Sequence, residues 1–313
     1  MNPDEPRDDE QSHLILPGGL EVDAEEKVET ERSKDRSRED EQYIPVIVKR
    51  TDAVRRHPDD SLQHAIEEGK EQLDRPSASL ALSSLAAGLI VGFSAMAVAV
   101  VTIATDPLES AVLTRIATAF VYPLGFVICV MSGAQLFTEH TATAVYPVLD
   151  GQASFASLFR LWAIIIVGNI IGAAASAGLL TLTEPVLQAH SGFVIIGHHL
   201  VDHETFILLT SAILAGWLMA LGAWLVASTG PDFSQMVSIY IVTFLIGLGG
   251  FHHSIAGSVE MFAAMLASDE FTPQQGVRFI SLALLGNLIG GSVFVAVLNY
   301  GHIRKTQATG KDS

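Results

Sequence analysis

The chain is 313 residues long and 49% hydrophobic, with a positive mean hydropathy and a formal net charge of −16. The acidity argues against a nucleic-acid partner, and the single cysteine, Cys129, excludes an internal disulfide and a cysteine-based zinc site. Residues 1–75 hold 12 of the 18 Lys and Arg and 22 of the 34 Asp and Glu, which separates a polar tail from a membrane body.

Residues 1–58 are rich in Asp, Glu, Arg and Ser and carry too little apolar surface to offset ordering entropy, so they read as an acidic disordered cytoplasmic tail. Ile44–Val48 is an apolar island in it, able to dock on the body. The beginning lacks the basic-then-apolar pattern of a cleaved signal peptide, so the first hydrophobic segment is expected to serve for targeting. Over 59–75, an Asp-Asp-Ser start precedes Leu62, Ile66 and Leu73, which predicts a capped amphipathic helix on the cytoplasmic membrane surface, ended by Pro76.

Six apolar segments follow at about 79–104, 112–149, 157–182, 205–227, 234–267 and 276–301, each near or above the roughly 20 residues that span a bilayer. They define a membrane domain over 76–303, with a short cytoplasmic tail at 304–313. The second and fifth are too long for one simple span, and polar residues interrupt both. In the fifth, Gly247–Glu260 reads Gly-Leu-Gly-Gly-Phe-His-His-Ser-Ile-Ala-Gly-Ser-Val-Glu. Clustered glycine disfavours helix, and hydrocarbon tolerates irregular backbone only where protein or a watery cavity covers it. A broken helix beside a polar pathway is expected there, with His252 and His253 as the ionisable groups at membrane depth. The alternative is a packing patch with satisfied histidines. In the second segment, Gly133-Ala134-Gln135-Leu136-Phe137-Thr138-Glu139-His140 makes the corresponding break.

An internal repeat groups the segments three and three. Arg160 followed by Gly168-Asn169-Ile170-Ile171-Gly172 recurs 118 residues later as Arg278 followed by Gly286-Asn287-Leu288-Ile289-Gly290. Three spans per repeat turn the second half over, the inverted-repeat plan in which sites form at discontinuous helices near the midplane. The glycines of both motifs also suit close helix packing. With the N-terminus in the cytoplasm, Arg75, Arg160, Arg304, Lys305 and Lys311 lie inside and Arg115 and Arg278 outside, so the positive-inside rule puts both termini in the cytoplasm of a multi-pass plasma-membrane protein.

Three motifs in order, Gly-Ala-x-Leu-Phe-Thr at 133–138, Gly-Phe-x-His-Ser-x-Ala at 250–256 and Gly-Asn-x-x-Gly-Gly at 286–291, resemble the formate/nitrite transporter family over roughly 75–302. The resemblance implies an all-α, aquaporin-like fold of six transmembrane helices in two inverted three-helix repeats with broken second and fifth helices, assembled as a homopentamer with a pore in each protomer. It implies a non-enzymatic, cofactor-free channel or transporter for a small monovalent anion or its conjugate acid. In that reading Leu136 and Phe251 flank the passage, with Leu136 at a hydrophobic constriction, Phe137 lines the pore, Thr138 donates a hydrogen bond near the pore centre, and His253 is the central histidine. His252, Ser254 and Gly257 complete the pore-lining set. An imidazole with an ordinary pKa of about 6.5 suits a proton relay there.

The chain departs from the family pattern in having His252 where Glu is usual, Gly257 where Asn is usual, Ala215-Gly216-Trp217-Leu218 in place of Cys-Asn-Trp-Leu, and no counterpart of an anion-attracting lysine. It looks like a divergent, YfdC-like branch. Glu139 and Glu260 are candidates to pair with His140 and with His252 or His253 across the two breaks. Two other classes compete. A neutral small-solute channel on the same fold would follow from the lost positive charge. An intramembrane metalloenzyme would use Glu139, His140, His252, His253 and Glu260, although no HExxH or paired Glu-x-x-His motif is present. His198-His199 with Asp202-His203-Glu204 also looks metal-like, but these residues read better as solvated histidines of an external connection.

Overall fold

The computed structural model describes residues 13–16, 20–23 and 58–310, with 13–16, 20–23 and 306–310 as backbone only. Strands β1 (His13–Leu16) and β2 (Leu20–Asp23) form an antiparallel hairpin that sets His13 opposite Asp23 and Leu16 opposite Leu20. A disordered tail is therefore not the full account of 1–58. Two short apolar runs around Pro17-Gly18-Gly19 are a hairpin signal that average composition conceals. The apolar island at 44–48 lies outside the described residues.

From residue 58 onward the described chain is helical. Helix α1 (Pro58–Asp74) buries Leu62, Ala65, Ile66, Gly69 and Leu73. Its neighbours are α5 (Tyr146–Leu149), α6 (Phe155–Leu182) and α9 (Thr205–Ser228), so protein rather than a membrane surface covers its apolar face. A Cβ at Gly69 would collide with the Thr143 carbonyl, which shows how closely α1 sits on the segment after the first break.

Six helical stretches are long and apolar enough to cross a membrane: Ser77–Leu108, Ala111–Met131, Phe155–Leu182, Thr205–Ser228, Asp232–Gly249 and Pro273–Lys305. The first contains α2 (Ser77–Thr105) and the second contains α3 (Ala111–Val121) and α4 (Pro123–Met131). Short helices α7 (Glu184–Leu187) and α8 (His190–Val201) connect the halves. Helix α10 (Asp232–Gly249) is followed by α11 (Ser254–Ala267), and α12 (Pro273–Gly291) passes through a π-helical turn at Ser292–Val297 into α13 (Leu298–Gly310). Leu82, Phe93, Phe159, Ile171, Phe206 and Leu285 are among the large side chains exposed on the outside of the protomer, as lipid or a neighbouring subunit requires.

The two halves are held by the same contacts. Arg160 donates to the carbonyls of Leu73 and Arg75 and to Ser77 Oγ, tying the third span to the start of the first. Arg278 donates to the carbonyls of Val201 and His203 and to Thr205 Oγ1, tying the sixth span to the start of the fourth. Along the α2–α6 seam, a side chain at Gly88 would strike the Asn169 carbonyl, one at Gly168 would strike Ser84, and one at Gly172 the Leu85 carbonyl. Along the α9–α12 seam, Gly216 meets the Asn287 carbonyl, Gly286 meets Ala212, and Gly290 the Ile213 carbonyl. Small residues thus let both helix pairs approach to backbone contact.

Between those seams each half buries one asparagine that serves its break. Asn169 Nδ2 donates to the carbonyls of Ser84 and Gln135 at 2.8 and 2.9 Å, and its Oδ1 accepts from the Phe137 N–H at 2.9 Å. Asn287 Nδ2 donates to the carbonyls of Ala212 and His252 at 2.7 and 3.1 Å, and its Oδ1 accepts from the Ser254 N–H at 2.8 Å. The packing glycines clear the space in which this amide works.

On the face that carries Arg75 and Arg160, Asp150 accepts from Tyr300 at 2.9 Å, from Gln152 at 2.8 Å and from Arg304. Burial alone would raise its pKa, but those hydrogen bonds and the Arg304 charge outweigh it and hold the carboxyl below the usual aspartate range. A lowered folded-state pKa contributes stability above the ordinary aspartate value that is lost as pH falls through the lowered one.

Two predictions follow from these contacts. Asn169→Ala or Asn287→Ala orphans two buried backbone groups, one N–H and one carbonyl in the break, at about 1–3 kcal/mol each, so either variant should melt well below wild type in detergent, whereas Gln63→Ala in α1 should not. An unchanged melting curve for both asparagine variants would refute the bracing role. Asp150→Asn should flatten the acid limb of the stability profile below about pH 4, read as melting temperature against pH, and an acid limb that keeps its slope would speak against the Asp150 contribution.

Candidate functional site

The fifth segment breaks where glycine permits it. Gly250 takes φ +62°, a left-handed conformation that suits glycine, and its N–H returns to the carbonyls of Ile246 and Gly247 to end α10. Phe251 and His252 carry the chain past the end, and His253 caps α11. Its ring Nδ1 accepts from the N–H groups of Ile255 and Ala256 at 3.2 and 3.3 Å. With the Nδ1 lone pair so engaged, the hydrogen-bond network assigns the proton of the neutral ring to Nε2. That nitrogen lies 2.9 Å from Thr138 Oγ1, to which it donates. The edge of Phe126 packs on the same ring at 4.9 Å between centroids.

The first break begins at Gly133, with φ +69°, but unlike the second it does not resume as a long helix. Residues 132–145 run in tight turns in which Glu139 N bonds Leu136 O and His140 N bonds Phe137 O. Threonine side chains satisfy the backbone locally: Thr141 donates to the Thr138 carbonyl and Thr143 to that of Glu139. Only four residues of helix, α5, follow. The breaks are therefore equivalent in their asparagine brace and different in what they lead into.

Thr138 and His253, each from one break, meet, and His253 lines a cavity of about 620 Å³ from which the fully buried Thr138 is set back. His253 and Glu260 line its buried part, Arg115, His199 and Phe251 line its wall, and the exposed Asp106 and Glu109 stand at its mouth. Arg115 donates through Nε and Nη2 to the carbonyls of Leu248 and Gly249, both at 2.7 Å, and so satisfies the C-terminal end of α10. Sequence pattern treats Arg115 only as an outside charge. That it is the sole lysine or arginine between Arg75 and Arg160, inside an apolar span, is the signal that could have found it.

The other expected site residues fall as follows. Leu136 and Phe137 are fully buried and lie outside the cavity lining, whereas Phe251 is part of it. Ser254 is buried, with its N–H on Asn287 and its Oγ lacking a protein partner among the described residues. A Cβ at Gly257 would strike the Phe279 ring, so this glycine serves helix packing. Glu139 borders a void of about 10 Å³ with Val130, Met219 and Val226, about the room of one water.

The expected pairing of carboxylates with histidines is not what the structure contains. His140 Nδ1 is 3.3 Å from Thr143 Oγ1, His252 Nδ1 is 2.8 Å from Ser211 Oγ, and His253 engages Thr138. Hydroxyls a turn or a helix away reach these rings first, and no carboxylate hydrogen bond or ion pair to them occurs among the described residues. Nor are Glu139, His140, His252, His253 and Glu260 gathered as a metal-ligand set; among the described residues the titratable groups close enough for one ion are His199, His203 and His252. Their neighbour His198 turns the other way, 3.0 Å from Glu270 and 3.3 Å from Asp202. The Glu270 hydrogen bond raises the His198 pKa above the ordinary histidine value.

Comparison with known proteins agrees with this architecture. The profile of the family described as formate/nitrite transporter matches residues 59–301. The inner membrane protein YfdC of Escherichia coli (strain K12) is 30% identical over 246 residues, covering 77% of each chain. Among solved structures, an FNT family ion channel superposes with a TM-score of 0.71 at 17% identity, over 78% of this chain and 99% of its own. A pentameric formate channel with formate bound gives 0.61 at 21% identity, over 72% and 97%. With six apolar helices of spanning length, two glycine-initiated breaks meeting at a histidine, and this family match over most of its length, the chain belongs to the formate/nitrite transporter family.

Proposed function

We propose that the protein is a passive, proton-linked pathway through the cytoplasmic membrane for a small monovalent anion or its conjugate acid, with both termini in the cytoplasm and the large cavity open to the outside. The contact that carries this reading is Thr138 Oγ1 to His253 Nε2, which joins the two breaks at the end of the cavity. Family membership and the formate-bound, pentameric neighbour support a substrate of that size and a homopentamer with one pore per protomer.

A naked carboxylate is costly to bring to this depth, whereas its neutral acid is far less so. Thr138 accepts from His253, so its own hydroxyl proton is available to a carboxylate oxygen that passes beyond the cavity and behind the ring. The proton that crosses to the anion is replaced through Nε2, water supplies one to the ring at Nδ1, and the ring returns to its Nε2–H tautomer before the next passage. Replenishment takes Nδ1 away from the N–H groups of Ile255 and Ala256, so capping of α11 and proton relay compete for one nitrogen. Arg115 supplies positive potential on the route in, in place of the lysine that the sequence lacks. Asp106, Glu109 and Glu260 in the same cavity favour the second reading, a channel for neutral small solutes.

A flux assay in proteoliposomes separates the two. Formate, nitrite, hydrosulfide, acetate, lactate and glycerol are compared across pH for wild type, His253→Asn and His253→Ala. Asparagine is a good helix N-cap, so His253→Asn keeps α11 started and removes the titrating ring. Uptake of one weak acid should rise as pH falls and drop by about tenfold or more in both variants. Glycerol flux that ignores both pH and His253 would establish the neutral channel instead.

A further inference from the structure

Beside the cavity, three histidines converge from two separate elements. His199 in the last turn of α8 and His203 just beyond its end are one helical turn apart, and His252 comes from the break between α10 and α11. The rings of His199 and His252 stack at 5.2 Å with 7° between planes, while His203 meets them edge-on at 5.4 and 5.5 Å. One nitrogen from each ring lies within 4.8 Å of the others. His252 is 3% exposed, His203 is partly exposed and His199 borders the cavity, so the group is reachable from the outer side.

We infer that His199, His203 and His252 form a binding site for a first-row divalent transition-metal ion, zinc(II) above all, at the outer mouth of the pathway. Imidazole is the common neutral ligand for such ions, and three with one water complete a tetrahedron. Bonds of about 2.0–2.1 Å place the ligand nitrogens about 3.3 Å apart, so the rings have to close from their present spacing, and one of the stacked pair has to turn out of the stack for both lone pairs to meet the ion. Partners that aim the rings are in place. His199 Nε2 is 3.0 Å from the Gly250 carbonyl, to which it donates, leaving Nδ1 for the ion. His252 Nδ1 lies 2.8 Å from Ser211 Oγ. In the tautomer that donates there, Nε2 is free for the metal and gives up its 3.3 Å approach to the His199 carbonyl. The neighbouring His198 is committed to Asp202 and Glu270 and takes no part.

An ion held there ties the end of α8 to residues 250–252, next to Phe251 in the cavity wall. External zinc therefore acts as a brake on whatever passes. The brake rests on the proposed transport function, but the site does not, and the experiment reads the two apart.

Tag-free full-length protein in nanodiscs is titrated with Co²⁺, followed by displacement with Zn²⁺. The expected result is the intense visible absorption of tetrahedral cobalt, saturating at one ion per protomer. His203→Ala should weaken binding by at least about tenfold and Ser211→Ala by about 10–100-fold, while His198→Ala should leave it intact. Weak octahedral absorption alone, or binding lost in His198→Ala and kept in His203→Ala, would overturn the assignment and place the ion on the His198, Asp202 and Glu270 cluster. In proteoliposomes, saturating Zn²⁺ should slow formate uptake by wild type and not by His203→Ala, whose metal-free uptake should match wild type. Equal slowing of both would overturn the brake. Absence of uptake of every weak acid tested in wild type would count against the transport reading, while the cobalt spectrum still decides the site.

Discussion

A helix that stops in the middle of a bilayer leaves backbone donors and acceptors without partners, in surroundings that supply none. Here each interruption is met by one asparagine, whose amide accepts from a single N–H and donates to two carbonyls. Much else in the body arranges itself around those two side chains. The glycines on the neighbouring helices sit where a methyl group would push the amide out of reach, and the paired arginines fix the ends of the same helices. Conformational freedom at Gly133 and Gly250 then matters only because something waits to receive the chain after it turns.

The halves nevertheless diverge after the turn, and the divergence sets what each can contribute. The second break enters a helix of 14 residues, so its histidine gains a cap role and a fixed ring orientation. The first enters a run of threonines whose hydroxyls bond their own backbone, which gives Thr138 a rigid place without a helix beneath it. One break fixes a ring and the other offers a hydroxyl to it. Helix α1 reinforces the first by lying on Thr143 through Gly69.

Much of this was legible in the sequence because it rests on periodicity and on repeated motifs. Six spans, two interruptions, the asparagine-glycine pairs and the duplicated arginines can be read without coordinates. Side-chain direction could not be. Adjacent histidines at 198 and 199 look like one cluster in a string of letters, yet a helix sends them about 100° apart, one to Glu270 and the other toward His252. Charge complementarity also misled: the buried histidines find hydroxyls, because Ser211, Thr138 and Thr143 are nearer than any carboxylate. The hairpin at 13–23 was lost in the average composition of a tail.

Arg115 has one further consequence, a kinetic one. One edge of its guanidinium, Nε with Nη2, is already spent on the carbonyls of Leu248 and Gly249, which leaves only the end-on pair of N–H groups for the two-pronged grip on a carboxylate of which arginine is capable. Its charge still acts at a distance. A residue arranged in this way hastens arrival without prolonging residence, the combination that a permeation pathway requires and a tight binding site does not.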